Sequence, residues 1–197
     1  MADSLYLSLW FPTFSEKEML PRTLSVLKQF PFSAARPGVN SVAVYPVSWS
    51  EASVYAQSFD FGADPERAVS FAAEFLHEDY AYEFEARWDL WTPNEDDPRR
   101  WQLRPEPVRF AAHGLRFDDG IFQQHGHLQV DLGLDAPFLQ EELDFTDAEV
   151  RVRANVQKLI NFTNAVEKNC GISGRVLWSE SDENLAQKLI ARLQKVH

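Results

Sequence analysis

Three of the chain's five histidines fall within residues 113–127, and imidazole is the side chain that both titrates near neutral pH and binds transition metals. In "HGLRFDDGIFQQHGH" (residues 113–127), His125 and His127 stand two apart. On a strand that spacing puts both rings on one face about 7 Å apart, close enough to bend toward one ion. A bulge at His113-Gly114 would swing His113 beside them, and bulges gather next to active sites. The chemistry open to such a trio is hydrolysis by a metal-bound water, with His113, His125 and His127 holding a divalent cation. Two features weigh against it. No side chain stands out as its general base. Metal-bound histidines also usually donate their second ring N–H to a carboxylate or carbonyl, whereas the neighbouring polar-face positions are Arg109, Ala111 and Gln129. Solvated or hydrogen-bonded histidines and no cofactor are therefore expected, with the metal-dependent hydrolytic enzyme as the alternative.

The chain has six tryptophans. The stretch "YAYEFEARWDLW" (Tyr80 to Trp91) alternates with period two. One face carries Tyr80, Tyr82, Phe84, Ala86, Trp88 and Leu90. The other carries Glu83, Glu85, Arg87, Asp89 and Trp91. Trp88 is expected in the core, as is Trp178. Trp91 has the opposite parity, and Trp101 closes the loop "TPNEDDPRR" that follows it. These two should lie close together at a hairpin neck, either stacked on each other or forming a platform for a partner. Glu83, Glu85 and Asp89 form an acidic ribbon for which Arg104 and Arg109 are available as cross-strand partners. Residual acidity there would attract a basic partner or a cation. Trp91, Trp101, Glu83 and Glu85 are the candidate binding residues.

Other motifs are absent or weak. Cys170 follows a long helical pattern, and a helix C-terminus disfavours a thiolate, so a structural thiol is expected. "GISG" (Gly171 to Gly174) follows a helix, whereas phosphate-binding loops precede one. No P-loop, dinucleotide fingerprint or zinc-protease motif occurs. The net charge of −11 makes nucleic acid and anionic membranes poor partners. The N-terminal residues lack the pattern of a signal peptide, no apolar run reaches membrane-helix length, and there is a single cysteine, so a cytoplasmic location is expected.

The elements that must position these residues read as follows. "SLYLSLWF" is a strand with Leu5, Leu7 and Leu9 inward. Ser15 to Glu18 has capping-box spacing, but Pro21 argues for a short turn and then a helix from about Pro21 to Gln29. "NSVAVYPV" and "EASVYAQSFDF" are strands, and Asp64-Pro65 opens a helix. Residues 107–134 should form an antiparallel hairpin turning at Asp119-Gly120. With the bulge at His113-Gly114, Val108, Phe110, Ala112, Leu115 and Phe117 share one face, opposite Phe122, Leu128, Val130, Leu132 and Leu134. A long helix from Thr146, a strand at "GRVLWSE" and a final helix complete the chain.

The order is β-α-β-β-α-β, then β-β-α-β-α. It predicts one α+β domain over residues 1–197, with helices on one face of a mainly antiparallel sheet. The first six elements resemble the order of a ferredoxin-like fold. The functional expectation is a binding or interaction module with an open acidic sheet face and an aromatic rim, taking a protein partner or a small ligand.

Overall fold

The computed structural model describes residues 3–97, 99–139, 146–180 and 188–189. The expected final helix lies almost wholly outside them. Seven strands form one sheet: β1 (Ser4–Trp10), β2 (Val39–Pro46), β3 (Tyr55–Ala63), β4 (Tyr80–Pro93), β5 (Trp101–His113), β6 (Leu128–Leu134) and β7 (Gly174–Ser179). Their spatial order is β3-β2-β4-β5-β6-β1-β7, and every neighbouring pair is antiparallel. Helices α1 (Glu16–Leu27), α2 (Pro65–Ala73) and α5 (Thr146–Asn169) cover one face; two short helices, α3 (Phe122–His125) and α4 (Ala136–Leu139), sit in connections. The fold is thus α+β with an antiparallel sheet, as its element order implies. The ferredoxin-like analogy stops at that order, because β1 pairs with β6 and β7 and with no strand of the first half.

The core follows from strand parity. Leu5, Leu7 and Leu9 of β1, Tyr82, Phe84, Ala86 and Trp88 of β4, Val108, Phe110 and Ala112 of β5, and Leu128, Val130 and Leu132 of β6 are all buried toward the helices. From α5, Val152, Val156, Leu159, Phe162 and Val166 meet them, spaced at helical period. Cys170 joins this core; its thiol contacts the Ser25 carbonyl, and burial pushes its pKa up.

Three expectations are corrected. First, α1 runs unbroken through Pro21. The Glu18 carboxylate accepts from the Ser15 N–H, the Ser15 hydroxyl and the Thr13 hydroxyl, and these bonds hold its pKa down at about 2. Met19 and Leu20 bury that first turn before the proline is reached, so packing outweighs the one backbone bond Pro21 removes.

Second, residues 114–127 do not make a two-residue hairpin. β5 ends at His113, and the connection holds a 3-10 turn, Phe117–Asp119, and then α3. Asp118, Asp119 and Gly120 all take positive φ. The Gly114 and Arg116 N–H groups bond the Tyr80 and Glu78 carbonyls, and the Asp118 N–H bonds that of Val47. A regular hairpin would project roughly 17 Å past the sheet end and leave Phe117 in water. Folding the segment down buries Phe117 completely against Trp49, worth about 2–3 kcal/mol. Leu115 is consequently exposed, and Leu134, at the other end of β6 beyond the register shift against β1, is exposed as well. Phe110 still pairs with Val130 and Ala112 with Leu128, so the predicted inward face of these strands stands although the turn does not.

Third, Trp178 is not core. β7 lies at the sheet edge beside β1, and Trp178 has the parity opposite to the inward Leu177.

β4 runs past the end of β2, whose pairing with it stops at Val39–Ala86. That bare backbone is covered by side chains of α5 and by the segment after α1. The Ser33 N–H bonds the Arg87 carbonyl, Lys158 Nζ donates to the Asp89 carbonyl, and Asn155 closes on Trp91. Asn155 Oδ1 accepts from the Trp91 N–H at 2.9 Å, while its Nδ2 donates to the Trp91 and Pro137 carbonyls at 2.8 and 2.9 Å. Asn155 is 1% exposed. Asn155→Ala is expected to destabilise the protein by about 2 kcal/mol through these orphaned groups. A urea transition shifted by less than ~0.5 kcal/mol would mean that water replaces them.

Candidate functional site

The face of the sheet turned away from the helices is built by two transverse rows of residues. Strand register places Ser58, Ser41, Glu85, Arg109, Asp131, Tyr6 and Trp178 in one row across all seven strands. The next row holds Ala56, Ala43, Glu83, Ala111, Gln129, Ser8 and Val176. Small residues on either side of Glu83 make a shallow trough. Tyr45 and Trp49, in edge-to-face contact at 5.0 Å, wall one end of it.

The acidic ribbon divides by role. Asp89 accepts from the Ser33 hydroxyl at 2.5 Å and the Ala34 N–H at 3.1 Å, so it fastens a loop. Glu85 lies 3.5 Å from the Arg87 guanidinium, which also donates to the Pro105 carbonyl. Glu83 has no hydrogen-bond or ion-pair partner among the described residues, and burial raises its carboxyl pKa despite the opposing pull of Arg109. Arg109, directly opposite Glu85 and Asp131, likewise makes no ion pair among the described residues. Arg104, the other expected partner, pairs with Glu95. Tyr45 is close enough to Glu83 and Arg109 to feel both, and burial pushes its hydroxyl pKa up.

The tryptophan pair is rearranged. Trp91 stands opposite Leu103 and Trp101 opposite Pro93, so the two are diagonal neighbours on one face. They share no ring contact. Arg151 of α5 occupies a face of Trp91 at 4.7 Å and donates to the Trp101 carbonyl at 3.2 Å. Trp101 is partly buried against the core.

The histidines are also separated in role. His125 ends α3 rather than sharing a strand face with His127. His113 is buried, with Nδ1 2.8 Å from the Gly126 carbonyl. His127 Nδ1 accepts from the Phe11 N–H at 3.0 Å, and its ring stacks between Phe14 and Phe122. His125 Nδ1 is met by the Gln129 amide at 3.0 Å. Each imidazole thus has one ring nitrogen committed inside the protein. Among the described residues no three His, Cys, Asp or Glu side chains are grouped to hold a metal ion.

Sequence reasoning passed over Tyr6, Trp10 and Tyr45. The signal was present in "SLYLSLW": if Leu5, Leu7 and Leu9 point inward, Tyr6, Ser8 and Trp10 must share the open face. Two of the concavities among the described residues adjoin strands of this sheet. One of about 490 Å³ has an aliphatic and proline lining interrupted by Thr92 and Glu106. The other, about 310 Å³, is lined by Trp10, Gln124, His125, Val176 and Trp178. No helix among the described residues is long and apolar enough to cross a membrane. Comparison of the chain with protein-family models, with curated proteins and with solved structures finds no match.

Proposed function

We propose that this chain is a binding module whose open sheet face receives a basic polypeptide partner, with Glu83 as the central anchor. The observation that carries the reading is the half-buried Glu83 carboxylate, which has no bonded partner among the described residues and is flanked in its row by the small residues Ala43 and Ala111. A desolvated carboxylate is stabilised by an incoming ammonium or guanidinium more than an exposed one is. Arg109 beside it favours a partner that also presents an acceptor. The shallow face suits a polypeptide segment better than an enclosed small molecule. The net charge of −11 would speed the encounter. No cofactor is invoked, and the single cysteine accords with a reducing, cytoplasmic setting.

The test is an NMR titration of labelled protein with a capped pentalysine peptide. Shifts should centre on β4, β5 and β6. Glu83→Gln should weaken binding roughly tenfold, whereas Glu51→Gln, the same charge change at an exposed loop position, should not. Equal losses in both variants would reduce the effect to net charge and remove Glu83 as an anchor.

A further inference from the structure

At the far end of the open face, β1, β7 and α3 border the open, shallow cleft of about 310 Å³. Trp10 lies opposite Gly174, Ser8 opposite Val176 and Tyr6 opposite Trp178. The two indoles therefore flank a floor made by Val176, and Tyr6 backs Trp178 in a stacked pair at 4.6 Å. Both indole N–H groups are already spent: Trp10 donates to the Phe122 carbonyl and Trp178 to the Ser8 hydroxyl, each at 3.0 Å. What the tryptophans offer the cleft is π surface without a donor. Because the Gln129 amide donates to His125 Nδ1, the neutral ring carries its proton on Nε2. His125 also packs edge-on to Trp178 at 6.0 Å.

Among the described residues neither lysine nor arginine lines the cleft. The nearby Arg175 is paired with Glu167 at 2.7 Å. Asp131 stands in the transverse row of Tyr6 and Trp178, two strands or roughly 10 Å from Trp178. Among the described residues an anion finds no counter-charge in this lining, whereas a cation would meet the indole rings of Trp10 and Trp178 in the field of an acidic chain. Indole is the best of the aromatic rings for holding a cation, and aromatic walls are how proteins recognise methylated ammonium groups.

We propose that the Trp10–Trp178 cleft binds a methylated ammonium group. The inference extends the binding reading to a second position on the same face, but its chemistry does not depend on Glu83. Choline and capped trimethyllysine amide represent the two sources of such a group, and 3,3-dimethylbutan-1-ol is the neutral isostere of choline. Binding is read from tryptophan fluorescence and indole N–H NMR signals. At least one cation should bind saturably and about tenfold more tightly than the neutral isostere; which of the two binds better tells a free ligand from a modified lysine side chain. Trp178→Leu should lose that binding. Val176→Lys, at a half-exposed edge-strand position that tolerates lysine, should abolish cation binding in a folded protein whatever becomes of Trp178→Leu. Glu83→Gln should leave choline binding unchanged, so the two readings fail separately. Equal affinity for the isostere, no saturable binding of either cation, or retained binding in Val176→Lys would each overturn the proposal.

Discussion

Between pH 6.5 and about 4 the protein should lose about 3 kcal/mol of folding stability through one residue, His113. The ring is 1% exposed on the open side of β5, beneath Trp49 and Phe117. Burial, above all, pushes its pKa from 6.5 down to about 4, and the neighbouring His125 and His127 push the same way. The hydrogen bond to the Gly126 carbonyl opposes them only in part. The sign is fixed by which state takes up the proton first. Above pH 6.5 the ring is neutral folded or unfolded, and the residue contributes no pH dependence. As pH falls below 6.5 the unfolded chain protonates and the folded one does not, so stability drops until the folded pKa is passed. Urea denaturation near neutral pH and near pH 4 would measure the loss, with His113→Gln as the reference that subtracts every other titrating group. If both proteins lose the same stability, His113 is not the source.

The parts of the fold that were legible in the sequence are those set by local periodicity. Alternation in "YAYEFEARWDLW" gives both faces of β4, and Val108, Phe110, Leu128 and Val130 all face the core. Short-range signals failed where a distant group competed with them. Asp119-Gly120 is a good hairpin turn by local chemistry, but Phe117 gains more by folding onto Trp49 than by extending into water. Pro21 is a poor residue for a helix interior, yet Met19 and Leu20 are anchored ahead of it. The candidate site was half visible for the same reason. Glu83 and Glu85 were found from the parity of one strand. The long row from Glu85 through Asp131 to Trp178 depends on β6 pairing with β1 and β1 with β7. Those contacts join segments more than a hundred residues apart, and no local pattern specifies their register.

Gly126→Ala should destabilise the protein by roughly 3–5 kcal/mol. Gly126 has φ 94° and ψ 157°, a region essentially reserved for glycine. It also sits where α3 turns down into β6, pressed against β1. A Cβ there would lie 2.8 Å from the Leu9 nitrogen, 2.9 Å from the Leu9 oxygen and 3.0 Å from the Leu128 oxygen. All three are backbone atoms of paired residues, with Leu9 opposite Leu128 in the β1–β6 register. No side-chain rotation relieves that contact, so relief requires prising β6 from β1. Gly120→Ala separates the two costs. Gly120 also has positive φ, 79°, but a Cβ there meets nothing nearer than 3.8 Å. It should cost only the left-handed backbone term, about 1–2 kcal/mol. Paired urea transitions of the two variants measure the difference, and equal losses would show that β1 and β6 yield without strain. The same movement would drag the Gly126 carbonyl away from His113, removing the one contact that holds the His113 pKa up, so the acid-linked loss of stability in Gly126→Ala should continue to lower pH than in the parent. If Gly126→Ala yields no folded protein while Gly120→Ala does, the ordering stands, because the two variants differ chiefly in what surrounds the added methyl.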